Sequence, residues 1–173
     1  MRIEAEVIKY GDDISTDLIY PGRYTYLLLT EEQMAEHALE DLDPEFSGRD
    51  ASNCVIVAGT NWGCGSAREQ AVKCIRQKGI KAVIAKSISR IYYRNSINEG
   101  LLPIVCPAAV DSVESGDKIE IDVENGVIQT PGGSFSFPKF PAFVLGILRS
   151  GGLIAQVRNE LSAGQPDMVK QGG

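Results

Sequence analysis

The sequence is poor in the residues that several kinds of protein depend on. It has one histidine and one tryptophan. A metal centre built on clustered imidazoles is therefore excluded. Its four cysteines, Cys54, Cys64, Cys74 and Cys106, form no C-x-x-C pair. That argues against a zinc ribbon or a thioredoxin-like motif and for reduced thiols in a cytoplasmic protein. Lys and Arg number 17 against 23 Asp and Glu, a net charge of −6. With no dense basic stripe, the counterion release that drives nucleic-acid binding has no source. No apolar run approaches the roughly 20 residues that span a bilayer, and the opening MRIEAEVIKYGDD has neither the basic region nor the apolar core of a secretion signal. A cytoplasmic location with no membrane role is expected.

What is present is an ordinary globular composition, 43% hydrophobic over 173 residues, enough for one core without metal or disulfide support. RIEAEVIKY predicts a strand, and GDDISTDLIYPGRY a long turn-rich loop. Thr30 with Gln33 makes a capping box for a helix through Leu42, with Met34, Ala38 and Leu42 on one face and His37 within it. CVIVAG, KAVIAKS and LLPIVC read as buried strands, alternating with helices from Ser66 to about Lys78 and through SRIYYRNSINEG to Gly100. Such alternation implies a partly parallel sheet. KIEIDVENGVIQT then predicts a hairpin turning at Asn125-Gly126, GGSFSFP a further strand, and PAFVLGILRSGG and GLIAQVRNELSA two helices. Residues 1–163 are expected to form one domain, and 164–173 a flexible tail.

The densest chemistry lies in NWGCGSAREQA. Gly63 and Gly65 allow close backbone approach, Ser66 with Glu69 spells a capping box, and Arg68 offers a bidentate fork for a carboxylate. The plain alternative is a helix start and nothing more, since capping boxes are common. A nucleotide loop is a poor second, because neither G-x-G-x-x-G nor a terminal Gly-Lys-Ser/Thr is present.

This stretch is similar to the N-[FYW]-G-x-G-S-S-R-E-[HQ]-A signature of the swivelling domain in aconitase-type dehydratases. The resemblance extends to GDDISTDLIYPGRY, EDLDPEF, KSISRIYYRNSINEGLLPI and the closing GGLI, so it covers nearly the whole chain. It implies an α/β fold: a single aconitase-type swivelling domain of mixed β/β/α layers with a partly parallel sheet. It also implies a free-standing small subunit of the isopropylmalate isomerase kind. Such a chain packs on a large subunit that holds a 4Fe-4S cluster, with a small dicarboxylic hydroxy-acid substrate between the two. The reaction would be the dehydration and rehydration that interconverts 2- and 3-isopropylmalate on the route to leucine.

By the same resemblance Ser66 is the catalytic base, Arg68 grips a substrate carboxylate and Asp17 orients one of them. Gly65 and Ala67 contribute backbone contacts. Ala67 departs from the family, which has a second serine there, so one side-chain hydrogen bond is lost. YLLLT, from Tyr26 to Thr30, resembles the loop of isopropylmalate isomerases rather than the Y-L-R-T of homoaconitases, and an apolar Leu28 favours a branched alkyl group over a third carboxylate. Tyr26, Leu28, Thr30 and Arg23 are accordingly expected to bind substrate, although Leu27, Leu28 and Leu29 are equally compatible with the core. His37 is expected to be a solvated surface residue, Cys64 a small filler and Trp62 a packing residue. Arg90, Arg94 and Asn95 either meet the large subunit or solvate a helix face. Related hydro-lyases acting on dimethylmalate, citraconate or homoaconitate are alternatives, as is a stand-alone anion-binding module.

Overall fold

The computed structural model describes residues 1–163; the expected tail, 164–173, lies outside the described residues. Seven strands form one sheet in the order β4-β3-β2-β1-β5-β6-β7. Strands β1 (Arg2–Lys9), β2 (Cys54–Ala58), β3 (Ala82–Ala85) and β4 (Leu102–Val105) run parallel. Strands β5 (Lys118–Asp122), β6 (Val127–Thr130) and β7 (Gly133–Ser136) continue antiparallel from β1. The apolar runs become the inner strands because their side chains are covered on both sides: every residue of β2 and β3 is buried. β1 alternates instead, as expected where the sheet turns from parallel to antiparallel.

The strand side chains divide between two cores. On one face Ile8, Ile56, Ala58, Val83 and Ala85 pack with Val72 and Ile75 of helix α3 (Gln70–Gln77), Tyr92 of helix α4 (Arg90–Glu99), and Ile19 and Phe46. On the other, Val7, Val55, Val57, Ile84 and Ile104 meet Ile119, Ile121 and Ile128 of the curled antiparallel strands. Val110 of helix α5 (Pro107–Asp111) and Val144 and Leu148 of helix α6 (Ala142–Arg149) close that side. Each fully buried Ile, Val or Phe contributes about 1.5–3 kcal/mol. Helix α7 (Leu153–Ala163) follows α6 across the Gly151-Gly152 turn.

The remaining segments occupy the connection from β1 to β2. Ser15 caps a one-turn helix α1 (Thr16–Ile19), accepting from the Leu18 N–H at 3.3 Å. The Thr30–Gln33 box does open helix α2 (Glu31–Glu36), with Thr30 Oγ1 accepting from Gln33 N at 3.3 Å and Gln33 Oε1 from Thr30 N at 2.9 Å. α2 stops at Glu36 rather than Leu42. Leu39 swings into the left-handed region at φ 57 and donates its N–H to Ile19 O at 2.9 Å, so α1 captures the chain. His37 is only partly solvated: its ring stacks on Tyr24 with centroids 3.8 Å apart, and Nδ1 lies 2.7 Å from Glu40 Oε2.

Candidate functional site

Every segment carrying a candidate residue leaves the carboxyl end of a parallel strand, where open α/β sheets place their ligand crevices. The loop after β1 brings Asp17, that after β2 brings Ser66 and Arg68, and that after β3 brings Ser89 and α4. Two lone parallel bridges, Ser15 with Cys64 and Trp62 with Ile88, continue the pairing past the sheet and fix the three loops side by side. Asp12 accepts from Thr60 N and Oγ1 at 2.5 and 3.0 Å, and those bonds hold its carboxyl below the usual range. Asp13 accepts from Asn61 Nδ2 at 2.8 Å. These two carboxylates are ties between loops, and Asp17 alone of the three turns toward Arg68.

Around Ser66 the structure departs from the predicted helix start. α3 begins at Gln70, and the capping box does not form. Gly65 sits at φ 92, in the left-handed region, and the Ser66 carbonyl accepts from Thr16 Oγ1 and from Arg68 N, both at 2.9 Å. That i to i+2 bond closes a three-residue turn and spends the carbonyl a helix would need. Ser66 is thus exposed on a turn preceding α3, and the field of the helix end, which fades within about one turn, reaches it weakly. Glu69, freed from capping, lies 3.3 Å from Lys73 Nζ and beside Glu99. Burial and the neighbouring Glu69 carboxylate push Glu99 up to about 7.

Arg68 is drawn inward. Its side chain is 11% exposed, one Nη pairs with the Asp17 carboxylate, and the other donates to Tyr20 O and Thr25 Oγ1, each at 3.2 Å. Gly22 lets Asp17 and Arg68 meet, since a Cβ there would lie 3.1 Å from Asp17 Oδ1 and 3.5 Å from Arg68 Nη1. The predicted pair Arg68 and Asp17 is therefore brought together, and Thr16, Tyr20 and Thr25 join it. No sequence signal marked those last three, because their contacts span more than 40 residues.

Gly63, Gly65, Ser66, Ala67 and Arg68 form one wall of an open cleft of about 400 Å³, and Ser89, Arg90, Ile91, Arg94 and Asn95 form the other. Ser89 Oγ donates to Gly63 O at 2.6 Å and joins the walls. Behind them Trp62 is fully buried and edge-on to Tyr92, the packing role expected of it. The loop candidates do not line this cleft. Tyr26 and Leu28 are almost fully exposed, at 93% and 103%, and Leu27 is 51% exposed, so the tip of YLLLT is not core. Arg23 is committed elsewhere. It spans Asp41 at 2.8 Å through both Nη atoms, pairs with Glu40, and lies over the Tyr24 ring. Thr30 is spent as the α2 cap. Among the described residues no three His, Cys, Asp or Glu side chains gather as metal ligands, and no helix is long and apolar enough to cross a membrane.

Residues 13–109, which contain Asp17, Ser66, Arg68 and both walls of the cleft, match the aconitase C-terminal domain family. The chain is 46% identical over 165 residues to the 3-isopropylmalate dehydratase small subunit of Caldicellulosiruptor bescii, covering 93% of this chain and 98% of that protein. The chain belongs to the aconitase C-terminal domain family, among its dehydratase small subunits. Another member, the 2,3-dimethylmalate dehydratase small subunit of Eubacterium barkeri, is 42% identical over 158 residues, 89% of this chain and 95% of its own length. The crystal structure of 3-isopropylmalate dehydratase from Methanocaldococcus jannaschii superposes with a TM-score of 0.86 at 39% identity, covering 94% of this chain and 97% of that one. Dehydratase small subunits are hydro-lyase components, and the term itself implies a large-subunit partner.

Proposed function

We propose that this chain is the small subunit of a 3-isopropylmalate dehydratase and that its exposed Ser66 is the base of the reaction. A large subunit would complete the site and carry the 4Fe-4S cluster. Among the described residues no set of His, Cys, Asp or Glu side chains gathers to hold a cluster, so no step of the cluster's chemistry is assigned to them. What they do is handle a proton. As its alkoxide, Ser66 Oγ takes the proton from the carbon next to the hydroxyl-bearing one, the C–H electron pair becomes the C=C bond, and the hydroxyl leaves with the C–O bonding pair, taking from solvent the proton that makes it water. Return of the proton and of water with their positions exchanged gives the isomer.

The observation that carries this reading is the position of Ser66. It stands exposed at the mouth of a cleft open to solvent, while Arg68 behind it is already neutralised by Asp17. An isolated anion-binding module would present Arg68 free; a half-site keeps it rigid and leaves the hydroxyl for a partner surface to enclose. Enclosure is also what a seryl oxygen needs, since donors that stabilise its anion act far more strongly once water is excluded. For the substrate's side group, the apolar tip at Tyr26, Leu27 and Leu28 favours a branched alkyl chain by about 0.8 kcal/mol per buried methylene. A third carboxylate there would be desolvated without a partner. The Eubacterium barkeri relative makes 2,3-dimethylmalate the second substrate to try.

The test is reconstitution. Mixed with a large subunit, the chain should produce the ultraviolet absorbance of the unsaturated diacid from isopropylmalate. Ser66→Ala should abolish it while the subunits still associate. Turnover retained in that variant refutes Ser66 as base, and tight diacid binding by the chain alone refutes the half-site.

A further inference from the structure

A hydroxy diacid brings two carboxylates to the cleft, yet the arginine that the signature supplies has few donors left. Arg68 Nη atoms hold Asp17, Tyr20 O and Thr25 Oγ1, and its charge is balanced. The opposite wall is different. Arg90 and Arg94 stand one helical turn apart on α4, both exposed, and among the described residues neither has a carboxylate within 4.0 Å. Arg76, by contrast, is held between Glu31 and Glu99. Residues four apart share one helix face, and α4 is anchored beside the Ser66 loop by the Ser89 to Gly63 bond and, from its buried side, by Tyr92 packed on Trp62.

We propose that Arg90 and Arg94 form a carboxylate clamp of their own, binding one end of the diacid while the other end faces Ser66. This rests on the functional reading given above. Two guanidiniums with free forks match a carboxylate bidentately, and a cleft of about 400 Å³ accommodates a small diacid. Ile91 lies between them on the same wall, 51% exposed, and gives the substrate's carbon chain an apolar surface. The two arginines are thereby binding residues. A docking role, the rival, would place acidic side chains of the large subunit on them instead.

The experiment uses the assembled two-subunit enzyme. Arg90→Ala and Arg94→Ala should each raise KM for isopropylmalate by about 10- to 100-fold, as expected for losing a charge-assisted contact. Subunit affinity by calorimetry should stay at the wild-type value, and Arg94→Lys should recover part of the KM. A KM within about twofold of wild type, or a loss that follows weakened subunit association, overturns the clamp. A second readout needs no turnover: isopropylmalate should protect Arg90 and Arg94 from phenylglyoxal in the assembled enzyme, read by peptide mass, and unprotected arginines overturn the proposal. Wild-type inactivity on both malates would instead strike the functional reading, so the two failures are distinguishable.

Discussion

Placing a methyl group on Gly63 should damage the protein more than any other single added carbon at the cleft. Gly63 has φ 72, where an L side chain costs about 1 kcal/mol or more. A Cβ there would lie 2.5 Å from both Cβ and Cδ2 of Tyr92, with Cγ closer still. Tyr92 cannot yield, because it is buried, edge-on to Trp62, and bonded through its hydroxyl to Ala71 O. Overpacking of such a ring costs about 1–3 kcal/mol, so Gly63→Ala should lose about 2–4 kcal/mol in total, which at this chain length lowers Tm by about 5–15 °C. Thermal unfolding followed by circular dichroism measures it. Gly11→Ala is the control: no atom lies within 4 Å of its Cβ, and its φ is outside the left-handed range, so it should melt with the parent. Because Tyr92 belongs to α4, strain that is relieved by moving the helix will also widen the cleft and lower kcat/KM in the assembled enzyme. A Gly63→Ala protein melting together with the Gly11→Ala control refutes the packing argument.

Glu99 binds its proton more tightly in the folded chain than in the unfolded one. Between the ordinary carboxylate range and about pH 7 the native state therefore holds more protons, and stability falls as pH rises, levelling off above 7. Glu99→Gln, which imitates the protonated group, should raise Tm at pH 8 and gain less at pH 5; equal effects at the two pH values would contradict the upward shift of Glu99. Arg23→Ala should speed amide hydrogen exchange across residues 22–30 by releasing the loop from Glu40 and Asp41, with exchange in β2 and β3 unchanged. Leu28→Arg should leave thermal stability within about 0.5 kcal/mol of wild type and lower kcat/KM for isopropylmalate relative to a tricarboxylic homologue. An unaltered substrate ranking would detach the loop from specificity.

How far the sequence could be read depended on whether each feature was local. The apolar runs of β2 to β4, the Asn125-Gly126 turn and the end of α4 at Gly100 answer to nearby residues, and each lies where periodicity and turn chemistry place it. The start of α3 does not. Ser66 and Glu69 have the spacing of a capping box, but a hydroxyl 50 residues away, on Thr16, claims the Ser66 carbonyl. α2 is shortened for a similar reason, the bond from Leu39 to Ile19. α5 is five residues long and too short to show a period. At the site, the family resemblance marked Ser66, Arg68 and Asp17, while Arg23, expected to bind substrate, pairs with Glu40 and Asp41. Arg90 and Arg94 stood between two readings, and their place on the cleft across from the Ser66 loop is visible only in the fold.

The way Arg23 and Tyr24 grip Glu40, Asp41 and His37 separates a fixed stem from a bare tip. Tyr26 and Leu28 extend beyond that grip with little of their surface touching the rest of the chain, while Leu27 between them is half covered, so the fold has almost no stake in the identity of the outer two. Exchanging the Tyr26 and Leu28 side chains is nearly free in folding energy. A scaffold built this way can change the residues at its tip without being refolded, so that tip can diverge faster than its framework.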